Sequence, residues 1–262
     1  MKSFGRWLLW MLLAGVALQL FFLARIALMV VVDPQSTAFM RSELWQVTAK
    51  SLGSDKPWRW SQTWVDYDAI SPHLKRAVIA SEDAGFSEHG GVDWDAIETA
   101  WQKNERRQQI ADARAEKLAA QQAKRKTPVD PAKTPVVKAP KIVGGSTITQ
   151  QLAKNLLLSG ERSLLRKGQE LVLTLMLEAV LDKPRILAIY LNSVEWGEGV
   201  FGAEAAAQLY FKKPAAKLSA YEAARLAVML PSPKFFETRP GSAYLARRAG
   251  TIVARMGDVS IP

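Results

Sequence analysis

A chain of 262 residues with 48% apolar side chains is long enough to close one sizeable hydrophobic core and carry an appendage. It has no cysteine, which excludes disulfides, thiolate metal sites and a cysteine nucleophile. The net charge of +10 is concentrated: residues 103–141 hold 11 Lys/Arg against 4 acids and no aromatic, which argues against a folded nucleic-acid-binding face.

Lys2 and Arg6 precede an apolar run from Trp7 to Ala24 in which Gln19 is the interruption. Eighteen helical residues extend about 27 Å, close to the thickness of a bilayer's hydrocarbon core. Arg25 would then lie at the far interface and snorkel. Ile26 to Val32 resumes the apolar character until Asp33-Pro34. The basic flank puts the N-terminus on the cytoplasmic side and the rest of the chain beyond the membrane. The alternative is a cleaved signal peptide ending near Gly15-Val16-Ala17, but the apolar run continues past it. The expected organisation is therefore a tip, anchor and interfacial segment over 1–32, a connector over 33–64, and a body over 65–262.

Ser36 to Trp64 has no firm period, and Lys56 to Trp60 reads as a short extended piece. From Pro72 the apolar spacing predicts a helix ending in Glu82-Asp83, followed by a glycine-marked loop at Gly85, Gly90 and Gly91. Asp93 suits the N-cap of a helix through Trp94, Ile97 and Trp101. That helix enters the basic stretch, whose prolines at 128, 131, 135 and 140 rule out helical continuity. Residues 103–141 thus read as an exposed excursion, partly helical and partly disordered. Beyond it, helices are predicted over Thr147–Leu158, Leu164–Leu181 and from Pro184 to Tyr190. A loop with Gly197, Gly199 and Gly202 opens an alanine-rich helix to Tyr210. Ser219-x-x-Glu222 is a capping box for a helix that stops at Pro231, and a last helix covers Ala243 to Met256. Strand-like alternation is scarce, so the body is expected to be mainly α.

Three stretches carry polar chemistry. In Glu82-Asp83-x-x-Phe86-x-x-His89-x-Gly91, a carboxylate closing an apolar helix beside glycine-rich backbone would sit at a cleft edge, where partial desolvation suits a general base. A solvated acidic helix end is the plainer reading. With His73 and His89 the only histidines, a His-rich metal site is excluded. In Gly144-Gly145-Ser146-Thr147-Ile148-Thr149-Gln150-Gln151-Leu152-x-Lys154-Asn155, free backbone N–H groups at a helix start suit a phosphate. Thr147-x-x-Gln150 is equally a capping box, and the Gly-Lys-Ser/Thr of a nucleotide-binding loop is missing. In Arg162 and Arg166-Lys167-x-x-Glu170, a carboxylate lies on the edge of a core-forming helix. Arg166 is four residues away, so an ordinary ion pair competes with a pyrophosphate clamp.

In this order, the motifs resemble the peptidoglycan glycosyltransferase family, the lysozyme-like domain found in class A penicillin-binding proteins. The match runs through E-D-x-x-F-x-x-H-x-G at 82–91, G-G-S-T-I-T-Q-Q-L-x-K-N at 144–155, R-K-x-x-E at 166–170 and K-x-x-I-L-x-x-Y-L-N at 183–192. It covers about residues 65–235. The short chain, the single anchor and the absence of any Ser-x-x-Lys resemble the monofunctional members, without a transpeptidase centre. The 103–141 excursion departs from the pattern.

The resemblance implies a mainly α, lysozyme-like domain on one transmembrane helix, polymerising lipid II in the inner membrane with the catalytic domain periplasmic. By similarity, Glu82 would deprotonate the acceptor's 4-hydroxyl, which attacks the anomeric carbon of the growing undecaprenyl-pyrophosphate-linked strand with inversion. Glu170 matches the second glutamate. Lys154, Arg162 and Lys167 would meet the pyrophosphate, and Asp83, Ser146, Gln150 and Asn155 would line the cleft. No cofactor is required, although a divalent cation could assist at the pyrophosphate. The implied partners are lipid II, the glycan strand, the membrane and the cell-division or elongation machinery, with no nucleic acid. Two rivals remain at this stage: a lysozyme-like hydrolase, and a non-enzymatic membrane scaffold docking through the basic excursion.

Overall fold

The computed structural model describes residues 2–51, 59–123, 144–158 and 163–262. The described residues form two compact units, Asp93–Ser146 and the remainder. In the larger unit the chain begins with α1 (Lys2–Leu28), an unbroken apolar helix of 27 residues spanning about 40 Å. Its first two-thirds expose nearly every side chain, as a helix surrounded by lipid does. Its end behaves differently. Ile26 and Met29 are buried in the hydrophobic core of the body. Segment 26–32 is therefore divided: Val30, Val31 and Val32 are exposed, while its other face is part of the fold. Arg185 secures that junction, donating to the carbonyls of Met29 (2.7 Å) and Val32 (3.1 Å) and pairing with Asp33 at 2.7 Å.

The span expected to be a connector holds a second helix, α2 (Ala38–Ser51), capped by Thr37 Oγ1 accepting from the Met40 N–H at 3.0 Å. Its buried stripe is Met40, Glu43 and Val47. A carboxylate in the middle of the stripe hides the period from an apolar count, and only a partner in the fold makes it tolerable there. β1 (Ser61–Gln62) follows, then α3 (Pro72–Glu82), which starts with Ser71 Oγ accepting from the His73 N–H and Pro72 at its first position.

The second unit consists of α4 (Trp94–Ala123) and the residues up to Ser146. Asp93 Oδ1 caps α4 by accepting from the Ala96 N–H at 2.8 Å, as its position predicts. The excursion is thus helical as far as Ala123, and its proline-containing part lies outside the described residues.

The larger unit resumes with α5 (Ile148–Leu157), α6 (Leu164–Val180) and α7 (Lys183–Ser193), then β2 (Glu195–Gly197), β3 (Val200–Phe201) and α8 (Ala203–Phe211). α9 (Ala220–Met229), the short α10 (Pro233–Glu237) and α11 (Ala243–Arg255) complete it. The body is mainly α. Among the described residues there is one small sheet, of order β1-β3-β2, with β1 parallel and β2 antiparallel to β3. Strands of two or three residues are too short to show alternation, which is why the glycine region reads as a loop in sequence. The core closes around Trp196, Tyr190, Phe86 and Phe201, all essentially inaccessible, with α3 packed on α9 and α11.

Glu43 of α2, Glu195 of β2 and Lys234 of α10 form a polar cluster in this body. Lys234 bonds Glu43 and stands 3.4 Å from Glu195 Oε1. One ammonium cannot neutralise two carboxylates. Burial, helped by the charge of Glu43 and opposed by Lys234, pushes Glu195 up to about 7. The folded value lies above the unfolded one, so this group's contribution is intact at low pH and is lost as pH rises through 7. Glu195→Gln should therefore raise the melting temperature at pH 8 and change it little at pH 5, as thermal melts at the two pH values will show.

Candidate active site

Glu82 is the last residue of α3, and α3 is fixed by its buried stripe of Leu74, Ala77 and Val78. The carboxylate is half-buried. Gln151 Nε2 donates to Oε2 at 3.1 Å and Ser81 Oγ to Oε1 at 3.3 Å. Burial raises its pKa above the usual carboxylate range; the two donors and Arg248 partly offset this, and neighbouring Asp83 adds to it. The amide of Gln151 is itself oriented, because the hydroxyl of fully buried Tyr190 on α7 donates to its Oε1 at 2.9 Å. Burial holds that phenol well above its ordinary pKa, so it remains a donor, and the Gln151 NH2 must face Glu82. The result is a carboxylate in a preset orientation with raised basicity.

Asp83 points the other way, into the fold. Its Oδ2 accepts from the Ile148 N–H (2.9 Å), the first amide of α5, and its Oδ1 meets His89 Nε2 at 2.8 Å. His89 Nδ1 accepts from the Gly91 N–H at 3.1 Å, which assigns the proton of the neutral ring to Nε2 and makes it the donor to Asp83. Burial raises Asp83, opposed by His89 and the Ile148 amide. Gly91 has φ +86°, and a Cβ there would lie 2.7 Å from Glu178 Cγ, so glycine is required. Its carbonyl accepts from Thr147 Oγ1 at 2.6 Å. Asp83 thus joins the end of α3 to the start of α5.

The α5 capping box is complete: Thr147 Oγ1 accepts from the Gln150 N–H, and Gln150 Oε1 accepts from the Thr147 N–H. Gln150 is buried in that cap. Gln151 follows it, and one turn further Lys154 is exposed on the same helical face, with Asn155 half-buried beside it. Ser146 is exposed and belongs to the second unit.

A second charged cluster lies on α6. Glu170, only 4% exposed, accepts from Arg166 Nη1 at 3.1 Å and from Lys167 Nζ at 2.5 Å. Arg166 Nε is buried with no hydrogen-bond partner among the described residues. Lys167 reaches solvent with about half of its side chain. Glu82 and Glu170 therefore stand on different helices with separate partners: an amide and a hydroxyl on one, two cations on the other. Arg162 lies outside the described residues.

A family model described as Transglycosylase matches residues 52–125 and 129–257. The chain belongs to the transglycosylase family. Its curated relatives named "Biosynthetic peptidoglycan transglycosylase" include proteins of Burkholderia cenocepacia (50% identical over 95% of this chain and 87% of that protein) and Burkholderia lata (51% over the same shares). The Burkholderia thailandensis relative is 50% identical over 95% of this chain and 84% of its own length. The transglycosylase is accordingly a lysozyme-like glycosyltransferase of cell-wall synthesis, with no transpeptidase motif in its sequence.

Within this transglycosylase, Gln151 as a contact of Glu82, and Tyr190 as a contact of Gln151, are what residue-by-residue reading passes over. Both lie inside the motifs quoted above, at the second glutamine of T-Q-Q and the tyrosine of Y-L-N. Nothing in their spacing shows that a hydroxyl on α7 sets an amide on α5. Removing the Gln151 donor should raise the Glu82 pKa further. Gln151→Leu is expected to move the acid limb of the kcat profile to higher pH and to lower kcat severalfold, read from polymerisation rates across pH; an unmoved limb would count against the contact.

Proposed function

We propose that this transglycosylase polymerises lipid II, transferring the growing undecaprenyl-pyrophosphate-linked strand onto the 4-hydroxyl of an acceptor sugar with inversion at the anomeric carbon. The observation that carries the reading is Glu82, a half-buried carboxylate of raised pKa held by Gln151 and Ser81. A group poised in this way serves as a general base: it takes the hydroxyl proton as the oxygen attacks the anomeric carbon. The pyrophosphate then departs with the electrons of the C–O bond and needs positive charge more than a proton. Lys154, Arg162 and Lys167 supply that charge in this reading, with Glu170 holding Arg166 and Lys167 in place.

The same arrangement favours transfer over hydrolysis. A hydrolase acting on a neutral glycosidic bond needs an acid to protonate the leaving oxygen. Glu170 has its two oxygens engaged by cations, a position suited to orienting charge rather than donating a proton. The substrate is itself a membrane lipid, so α1 confines enzyme and substrate to one interface. The N-terminus lies in the cytoplasm and the body on the periplasmic side of the inner membrane. Asp83 and Gln150 act in this scheme by building the cleft that Asn155 lines.

With the full-length protein and lipid II in detergent or vesicles, the wild type should yield long glycan strands. Glu82→Gln should lower kcat by about 10²–10⁴-fold, the range ascribed to general-base catalysis. The wild-type rate should fall as pH drops through the raised Glu82 value, since protonation removes the base. Undiminished synthesis by Glu82→Gln would refute the assignment, and shortened strands from intact sacculi would favour the hydrolase.

A further inference from the structure

Gln19 is the polar residue in the apolar part of α1, and it is paired. Gln19 Nε2 donates to Gln169 Oε1 at 2.9 Å, and Gln169 Nε2 donates to Gln19 Oε1 at 3.0 Å. The two residues are 150 positions apart in sequence. Each amide gives one donor and one acceptor to the other, so neither leaves its carbonyl unsatisfied where water is scarce. Gln19 precedes the end of α1 by nine residues, about 13 Å along the axis. A helix bonded to it there is held beside the anchor below the level at which the anchor ends.

The composition of α6 agrees. Leu165, Gln169 and Val172 recur at the spacing of one helical face, and Leu165 and Val172 are 87% and 39% exposed. Leu164 is 92% exposed and Leu175 52%. Exposed leucines at this density suit acyl chains and not water. Their continuity with a helix that is itself long and apolar enough to cross a membrane points to lipid as the occupant, in the outer leaflet on the orientation proposed above. The neighbour of Gln169 is Glu170, which holds Arg166 and Lys167. One helix therefore carries the contact with the anchor on one face and the charged cluster on the next.

We propose that Gln19 is a positioning residue: through its amide pair with Gln169, the anchor sets the depth and rotation of α6 in the outer leaflet, and so the height at which the Glu170–Arg166–Lys167 cluster meets a lipid-linked pyrophosphate. This rests on the function proposed above and gives the anchor a role beyond tethering. A hydrogen-bonded polar pair between helices in lipid fixes register where apolar packing alone would allow sliding.

The chain has no native cysteine, so single-cysteine probes are clean. The full-length protein carrying Leu165→Cys, Val172→Cys or, as a control at an exposed position of α9, Tyr221→Cys is labelled with an environment-sensitive fluorophore in vesicles containing spin-labelled lipids. Positions 165 and 172 should be quenched and 221 should not. Quenching of 165 and 172 by aqueous iodide alone would overturn the proposal. Gln19→Leu, Gln169→Leu and the double variant are then assayed on full-length lipid II in vesicles and on a short-chain, water-soluble analogue. Each single change should lower the rate about threefold to tenfold on the membrane substrate and leave the analogue unaffected, and the double should be no worse than either single. Equal loss on both substrates, or additive losses, would refute the positioning role. Glu82→Gln separates the two ideas: if it remains active on both substrates, the underlying function fails, whatever the glutamine variants do.

Discussion

A single buried carboxylate joins the two halves of the site. Asp83 leaves the end of α3 and accepts from the first amide of α5, while His89 holds its other oxygen. The N-terminus of a helix carries unpaired N–H groups and a partial positive charge, so an anion there satisfies both needs at once. Hydrogen bonds to a charged group contribute about 1.5–3 kcal/mol each, enough to hold two helix ends in a fixed relation. Because Asp83 points inward, its neighbour Glu82 is left facing Gln151 across the same junction. The remaining geometry of the site depends on that division of labour between adjacent acids.

The electrostatics of the two glutamates follow from their surroundings. Glu82 meets neutral donors and is desolvated, which raises its proton affinity. Glu170 is buried more deeply, yet it has two cations in contact. A buried carboxylate between an arginine and a lysine orders them, and an ordered pair of cations is suited to a diphosphate leaving group. On the other side of the sequence, α1 and the turn after it are built into the fold through Ile26, Met29, the Arg185 junction and the Gln19–Gln169 pair. The long apolar N-terminal helix and the body share one packing problem.

Much of this was legible in the residues. The apolar N-terminal helix, the capping boxes at Thr147 and Ser219, the helix ending at Glu82 and the Arg166–Glu170 spacing all rest on local rules, and each has its expected local geometry. α2 escaped because Glu43 interrupts its apolar stripe, and a buried acid makes sense only beside Lys234, nearly two hundred residues away. Segment 26–32 read as uniformly interfacial, because apolar residues facing lipid and apolar residues facing a core are identical in sequence. Gln19 likewise appears as a flaw in the anchor until Gln169 is placed against it.

Helix starts, stops and faces depend on neighbours within one or two turns, and those the sequence determined by itself, along with the acids and cations available for chemistry. Which carboxylate is turned inward and which meets Gln151, that Tyr190 presets Gln151, and that α1 is bonded to α6 are decided by side chains brought together from distant positions. Only tertiary packing chooses among such pairings, because burial is what makes an unpartnered amide or carboxylate too costly to leave alone.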